Sequence, residues 1–149
     1  MPGKIAAALL GAIAAAGTFH FALHAQDAPP RSVWDGVYTE GQAQRGRELY
    51  NQHCMACHGT SLTGGEVAPP LAGGDFLSNW NGLTAGDLFE RIRTTMPLNN
   101  PQSLNRETNA GVLAYILSVN RFPAGPAELA SRTEVLRQIR IDSMKPGEK

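Results

Sequence analysis

Cys54-Met55-Ala56-Cys57-His58-Gly59 is the stretch on which the reading of this chain turns. Two thiols three positions apart, with a histidine directly after the second, form the arrangement that attaches haem covalently. One turn of chain presents both sulfurs to the two vinyl groups of a single porphyrin, giving two thioethers. His58 then lies under the macrocycle, where an imidazole nitrogen takes the proximal position on iron. Other uses of the same residues fit less well. A thioredoxin-like pair needs a βαβ context, and no strand run precedes Cys54. A tetrahedral zinc site needs spread ligands, but beyond residue 25 every Cys and His falls within residues 52–59. A plain disulfide suits an exported chain yet leaves His58 unexplained. His53 reads as a partly exposed helix residue.

Outward from this string, the chain begins with an export-type segment. Lys4 is the only charge in residues 1–25, and residues 5–16 are an apolar run containing one glycine. His20 and His24 interrupt the apolar character short of the roughly 18 residues that a membrane span requires. The pattern predicts a signal peptide over residues 1–25 with cleavage after Ala25, although Leu23 is not the ideal residue before that bond. Export agrees with covalent haem, which bacteria attach outside the cytoplasm. At 149 residues the remainder holds one domain plus extensions. The formal net charge is zero, so no basic footprint for nucleic acid is present.

Residues 26–40 form an extended N-terminal arm, with Trp34, Val37 and Tyr38 laid across the domain. Thr39-Glu40-Gly41-Gln42 has the form of a capping box, Gln42 reaching back to Thr39. The helix that follows places Ala43, Gly46, Tyr50 and Cys54 on one face. Gly46 inside a helix costs about 1 kcal/mol against Ala, which implies a close helix crossing there. Residues 59–82 are rich in Gly, Pro, Asn and Ser without sustained periodicity, and a loop of that length is expected to wrap a cofactor. Thr84 opens a second helix with Leu88, Phe89 and Ile92 inward, ended before Pro97. A third, apolar helix runs from about Asn105 to Asn120 and stops at Phe122-Pro123. Residues 124–149 form a C-terminal extension, helical for a turn or two within 131–141 and ending in a flexible tail.

The sixth position on iron has few claimants. His53 and Met55 adjoin the attachment cysteines and cannot reach the opposite face, and Met144 lies in the polar tail. Met96 remains, 38 residues after His58, in a loop held by Pro97. A methionine is also an ordinary core filler, but elimination and position favour ligation.

With these residues in hand, residues 41–120 resemble a class I c-type cytochrome. The likeness rests on C-M-A-C-H-G, the following Pro69-Pro70-Leu71, Thr95-Met96-Pro97, and V-L-A-Y-I-L in the last helix. It implies an all-α cytochrome c fold, with three to five helices and long loops wrapped around one haem c. The cytochrome domain spans residues 41–123. Gly46 and Tyr50 match positions packing on Val112 and Tyr115. Pro69, with Pro70 as a neighbouring candidate, matches the proline whose carbonyl accepts from the proximal imidazole. Leu71 matches a haem-packing position.

A narrower resemblance, through S-V-W-D-G-V-Y-T-E-G-Q, G-D-F-L-S-N-W and the F-P-A-G…L-R-Q-I-R-I tail, is to small periplasmic cytochromes associated with quinoprotein (PQQ) dehydrogenases. The cofactor-binding set it implies is Cys54, Cys57, His58, Met96, Pro69, Leu71, Trp80 and Tyr50, with His58 and Met96 on the metal. The expected function is a monohaem electron carrier, not an enzyme. It would pass single electrons from a periplasmic dehydrogenase to an oxidase or cytochrome of the respiratory chain. A haem subunit held permanently in a dehydrogenase or oxidase complex is the alternative, with the arm and extension as interface. A haem peroxidase needs an open sixth position, against which Met96 argues.

Overall fold

The computed structural model describes residues 31–148. The signal-peptide reading of residues 1–25 and the start of the arm, residues 26–30, lie outside it. The described chain is all-α, as expected, apart from one pair of two-residue strands. Its helices are α1 (Glu40–His53), α2 (Met55–His58), α3 (Gly74–Trp80), α4 (Ala85–Thr95), α5 (Arg106–Val119) and α6 (Thr133–Leu136). That is one more than the upper expectation of five, because the attachment string and the extension each close a single helical turn.

Each long helix starts where its sequence says it should. The Thr39 hydroxyl accepts from Gln42 N at 3.1 Å to cap α1, and Asn105 Oδ1 accepts from Thr108 N at 2.8 Å to cap α5. Thr84 and Asp87 form a complete capping box on α4, with bonds of 3.1 and 3.0 Å. The box expected at α1 is only half made. The Gln42 side chain turns instead to the extension, accepting from Leu129 N at 2.6 Å and donating to Leu129 O at 2.9 Å. Buried backbone groups of the extension need partners more than the solvated start of α1 does.

Helices α1 and α5 cross as the most extensive helix pair of the fold. The crossing point is Gly46 against the Gly111 carbonyl, with Tyr115 beside it, rather than against Val112 as expected. Val112 is buried, but on the core side. Helix α4 lies across this pair, burying Leu88, Phe89 and Ile92.

The arm and the extension close over the same core. β1 (Arg31–Ser32) and β2 (Ile139–Arg140) pair in parallel, Arg31 opposite Ile139. Trp34 Nε1 donates to Asp142 O at 2.8 Å, and its ring meets Phe122 edge-on at 5.0 Å. Tyr38 OH donates to Phe122 O at 2.5 Å. Val33, Val37, Leu129, Leu136, Ile139 and Ile141 are all buried, each contributing about 1.5–3 kcal/mol of transfer free energy. Among the described residues no helix is long and apolar enough to cross a membrane.

Candidate functional site

The site is assembled where α1 ends. Cys54 is the residue between α1 and α2, its N–H donating to Tyr50 O at 2.8 Å. The backbone turns once through α2, so that Cys54 stays half-buried against the core while Cys57 is exposed. Burial, with Cys57 second, pushes the Cys54 thiol up to about 11. At neutral pH it is therefore a protonated, apolar group facing the interior.

His58 closes α2 and is buried. Its Nδ1 lies 2.9 Å from the carbonyl oxygen of Pro69, so Pro69 and not Pro70 is its partner. A carbonyl only accepts, so this bond places the proton on Nδ1 and leaves the lone pair on Nε2. A metal-ligating histidine has this form, with the second nitrogen tied to a backbone oxygen.

The loop that brings Pro69 there is built by backbone bonds. Gly64 N donates to His58 O at 3.1 Å, and Gly65 N to Ala68 O at 2.9 Å. Gly64 has φ +72°, and a β-carbon on it would come within 2.5 Å of Ala68 O. Only glycine fits this turn. Leu62 is buried and its carbonyl accepts from both Leu71 N (2.7 Å) and Ala72 N (3.2 Å).

Tyr50 is fully buried, its hydroxyl donating to Gly59 O at 2.6 Å and its ring 5.4 Å from that of Tyr115. Burial above all pushes this phenol up to about 12. It therefore remains a neutral donor that ties the exit of the attachment string back to α1. Leu71, Trp80 and Met96 pack on the core with part of each side chain uncovered. Trp80 ends α3, 6.4 Å from Phe76, and Met96 is the extended C-cap residue of α4. Thus His58 and Pro69 are joined directly and Tyr50 braces the same turn, while Leu71, Trp80 and Met96 come from three further segments. His53 is exposed on the last turn of α1, and Met144 is exposed in the tail. Two surface clefts, one lined by Arg45, Leu49 and Glu128 and one by Arg47, Tyr115 and Phe122, include none of Cys54, Cys57, His58 or Met96.

Two contributors were not legible beforehand. Asn120, read only as the end of α5, donates from Nδ2 to Leu71 O at 2.9 Å and accepts from Gly73 N at 3.1 Å. It holds both ends of the approach to α3. Helix α3 itself falls inside a segment expected to be loop. Its N-cap is Gly73, without a capping side chain, so no local signal announces it.

The model of the family described as "Cytochrome C oxidase, cbb3-type, subunit III" matches residues 41–116. Cytochrome c-551 of Bacillus subtilis (strain 168) is 33% identical over 92 residues, covering 62% of this chain and 76% of that protein. This chain is a class I c-type cytochrome. The cytochrome is also similar to a chain in the crystal structure of the sulfane dehydrogenase SoxCD from Paracoccus pantotrophus. There the TM-score is 0.48 at 19% identity, over 72% of this chain and 61% of that one. The family and the C-x-x-C-H string together mean one covalently bound haem c. The donor set fits it: two cysteines one turn apart, an imidazole with its Nε2 lone pair free, and apolar side chains left partly uncovered.

Proposed function

We propose that this cytochrome is a monohaem electron carrier in which His58 and Met96 hold the iron from opposite faces. The observation that carries the reading is the His58 Nδ1 contact with Pro69 O, 2.9 Å, which commits the imidazole to ligation. Bound haem c supplies a reversible one-electron couple. The chain's residues decide its setting. Cys54 and Cys57 fix the cofactor covalently, and the Pro69 carbonyl orients the His58 ring and raises its basicity. A thioether from Met96 favours the reduced state, as does the low dielectric supplied by Leu71, Trp80 and the core behind them.

Electrons leave and enter at the uncovered side, where Cys57 is exposed. Val67 and Leu98 are exposed apolar residues on the loops that carry Pro69 and Met96, 80% and 73% accessible. They offer contact for a weak, transient partner. The donor we infer is a periplasmic dehydrogenase of the quinoprotein class, and the acceptor an oxidase or cytochrome of the respiratory chain. That inference rests on the arm, the G-D-F-L-S-N-W segment and the tail. The packing of arm and extension onto this domain's own core supports a free carrier over a permanent subunit.

Met96→Leu is the deciding experiment. Loss of the methionine–iron charge-transfer band, a lower potential and the appearance of peroxidase activity are expected. An unchanged spectrum and potential would refute Met96 ligation. Reduction of the wild-type protein by a candidate quinoprotein dehydrogenase, followed spectroscopically, tests the partner separately.

A further inference from the structure

The C-terminal extension grips α4 along its length. Upstream of the helix, Gly82 N donates to Ile141 O and Ile141 N to Leu83 O, both at 2.8 Å. In the first turn, Gly86 lies so close to the end of α6 that a β-carbon there would be 2.5 Å from Arg137 Cγ and 2.6 Å from Arg137 N. One turn further on, the buried Thr133 hydroxyl donates to Glu90 Oε1. The same hydroxyl accepts from Arg106 Nη1 of α5 at 3.3 Å, and that nitrogen also donates to Ser131 O at 3.2 Å. Glu90 in turn takes two bonds from Arg93, 3.0 and 2.8 Å. The rest of the helix is stapled to this point: Thr94 Oγ1 donates to Glu90 O at 2.6 Å and Met96 N to Ile92 O at 2.9 Å.

We propose that the extension is a brace for the Met96 ligand, with Thr133 and Glu90 as its positioning residues. The proposal rests on the reading of Met96 as the sixth ligand. Met96 leaves the iron only if the end of α4 moves, and such local openings are governed by the contacts that the moving element must break. Beyond its own ladder, α4 is held at its start by strand-like bonds and at its middle by the Thr133–Glu90–Arg106 junction. Weakening the middle should free the end without unfolding the molecule.

The probe is imidazole, added to the ferric holoprotein while the methionine–iron band is followed. Thr133→Val removes the donor to Glu90 and the acceptor for Arg106. It should speed ligand exchange about tenfold, the scale of one lost charge-assisted hydrogen bond. Glu90→Gln, which keeps the volume, should act in the same direction, and Thr133→Ser should restore the wild-type rate. Gln42→Ala is the control: it cuts the extension from α1, lowers the melting temperature, and should leave exchange at the wild-type rate. Wild-type exchange in both Thr133→Val and Glu90→Gln would overturn the brace, as would equal acceleration in Thr133→Ser or Gln42→Ala. If the wild type itself lacks the methionine–iron band, the ligand reading falls and the brace with it. A band present with exchange unaltered overturns the brace alone.

Discussion

At Gly46 a β-carbon would stand 1.9 Å from the Gly111 carbonyl oxygen and 3.1 Å from Tyr115 Cβ. The obstacle is backbone on a packed helix, so relief requires α1 and α5 to separate. Alanine gains about 1 kcal/mol of helix propensity at such a position, whereas overpacking a well-packed contact costs about 1–3 kcal/mol and more against rigid backbone. Gly46→Ala is therefore expected to destabilise the holoprotein by roughly 2 kcal/mol, a fall in melting temperature on the order of 10 °C. Thermal melting followed by circular dichroism would show it. An unchanged or raised melting temperature would mean that the helices do not meet there.

Among elements, α4 is the one whose stability should respond to acid. The Arg93 guanidinium, bonded side-on to Glu90, is the largest of the influences that hold its carboxyl down at about 2, and the Thr133 hydroxyl is the next. The folded value lies below the unfolded value of about 4.3, so the stabilisation is complete above the latter. It is lost as pH falls through about 2. Glu90 is a quarter exposed, and solvent screening reduces its contribution to about 1 kcal/mol. Melting temperature should decline between about pH 4.5 and pH 2, and Glu90→Gln should flatten part of that slope. Identical acid profiles for the two proteins would show that the Arg93–Glu90–Thr133 junction contributes nothing.

On the scale of the whole molecule, haem completes a core that the polypeptide leaves partly open. Leu71, Trp80, Met96 and Cys54 pack on buried residues yet remain partly uncovered. Binding energy available only to the folded state becomes folding energy. Haem-free protein made without export is expected to melt broadly and well below the holoprotein, with weaker helical circular dichroism. A haem-free chain melting cooperatively at the holoprotein's temperature would contradict this. Covalent attachment itself is checked on a denaturing gel, where haem stain should comigrate with the chain and Cys57→Ala should strongly reduce it.

What the sequence determined by itself was chemistry that acts over a few residues. The C-M-A-C-H-G string specifies attachment because one helical turn sets the sulfur spacing. Thr39, Thr84 and Asn105 start helices because a cap bonds backbone two or three positions away. The likeness of Pro69 and Met96 to family positions made both candidates readable as well. Tertiary structure alone decided the pairings across long stretches of chain. Gln42 abandons its local cap for Leu129, 87 residues on. Asn120 reaches back 49 residues to Leu71. Arg31 finds Ile139, and α3 forms without a capping side chain, around the fully buried Phe76. Periodicity reports which face of an element is apolar, but it carries no address for the segment that covers that face. The address is set by packing and by the need to satisfy buried polar groups, and both exist only once the chain has closed on itself.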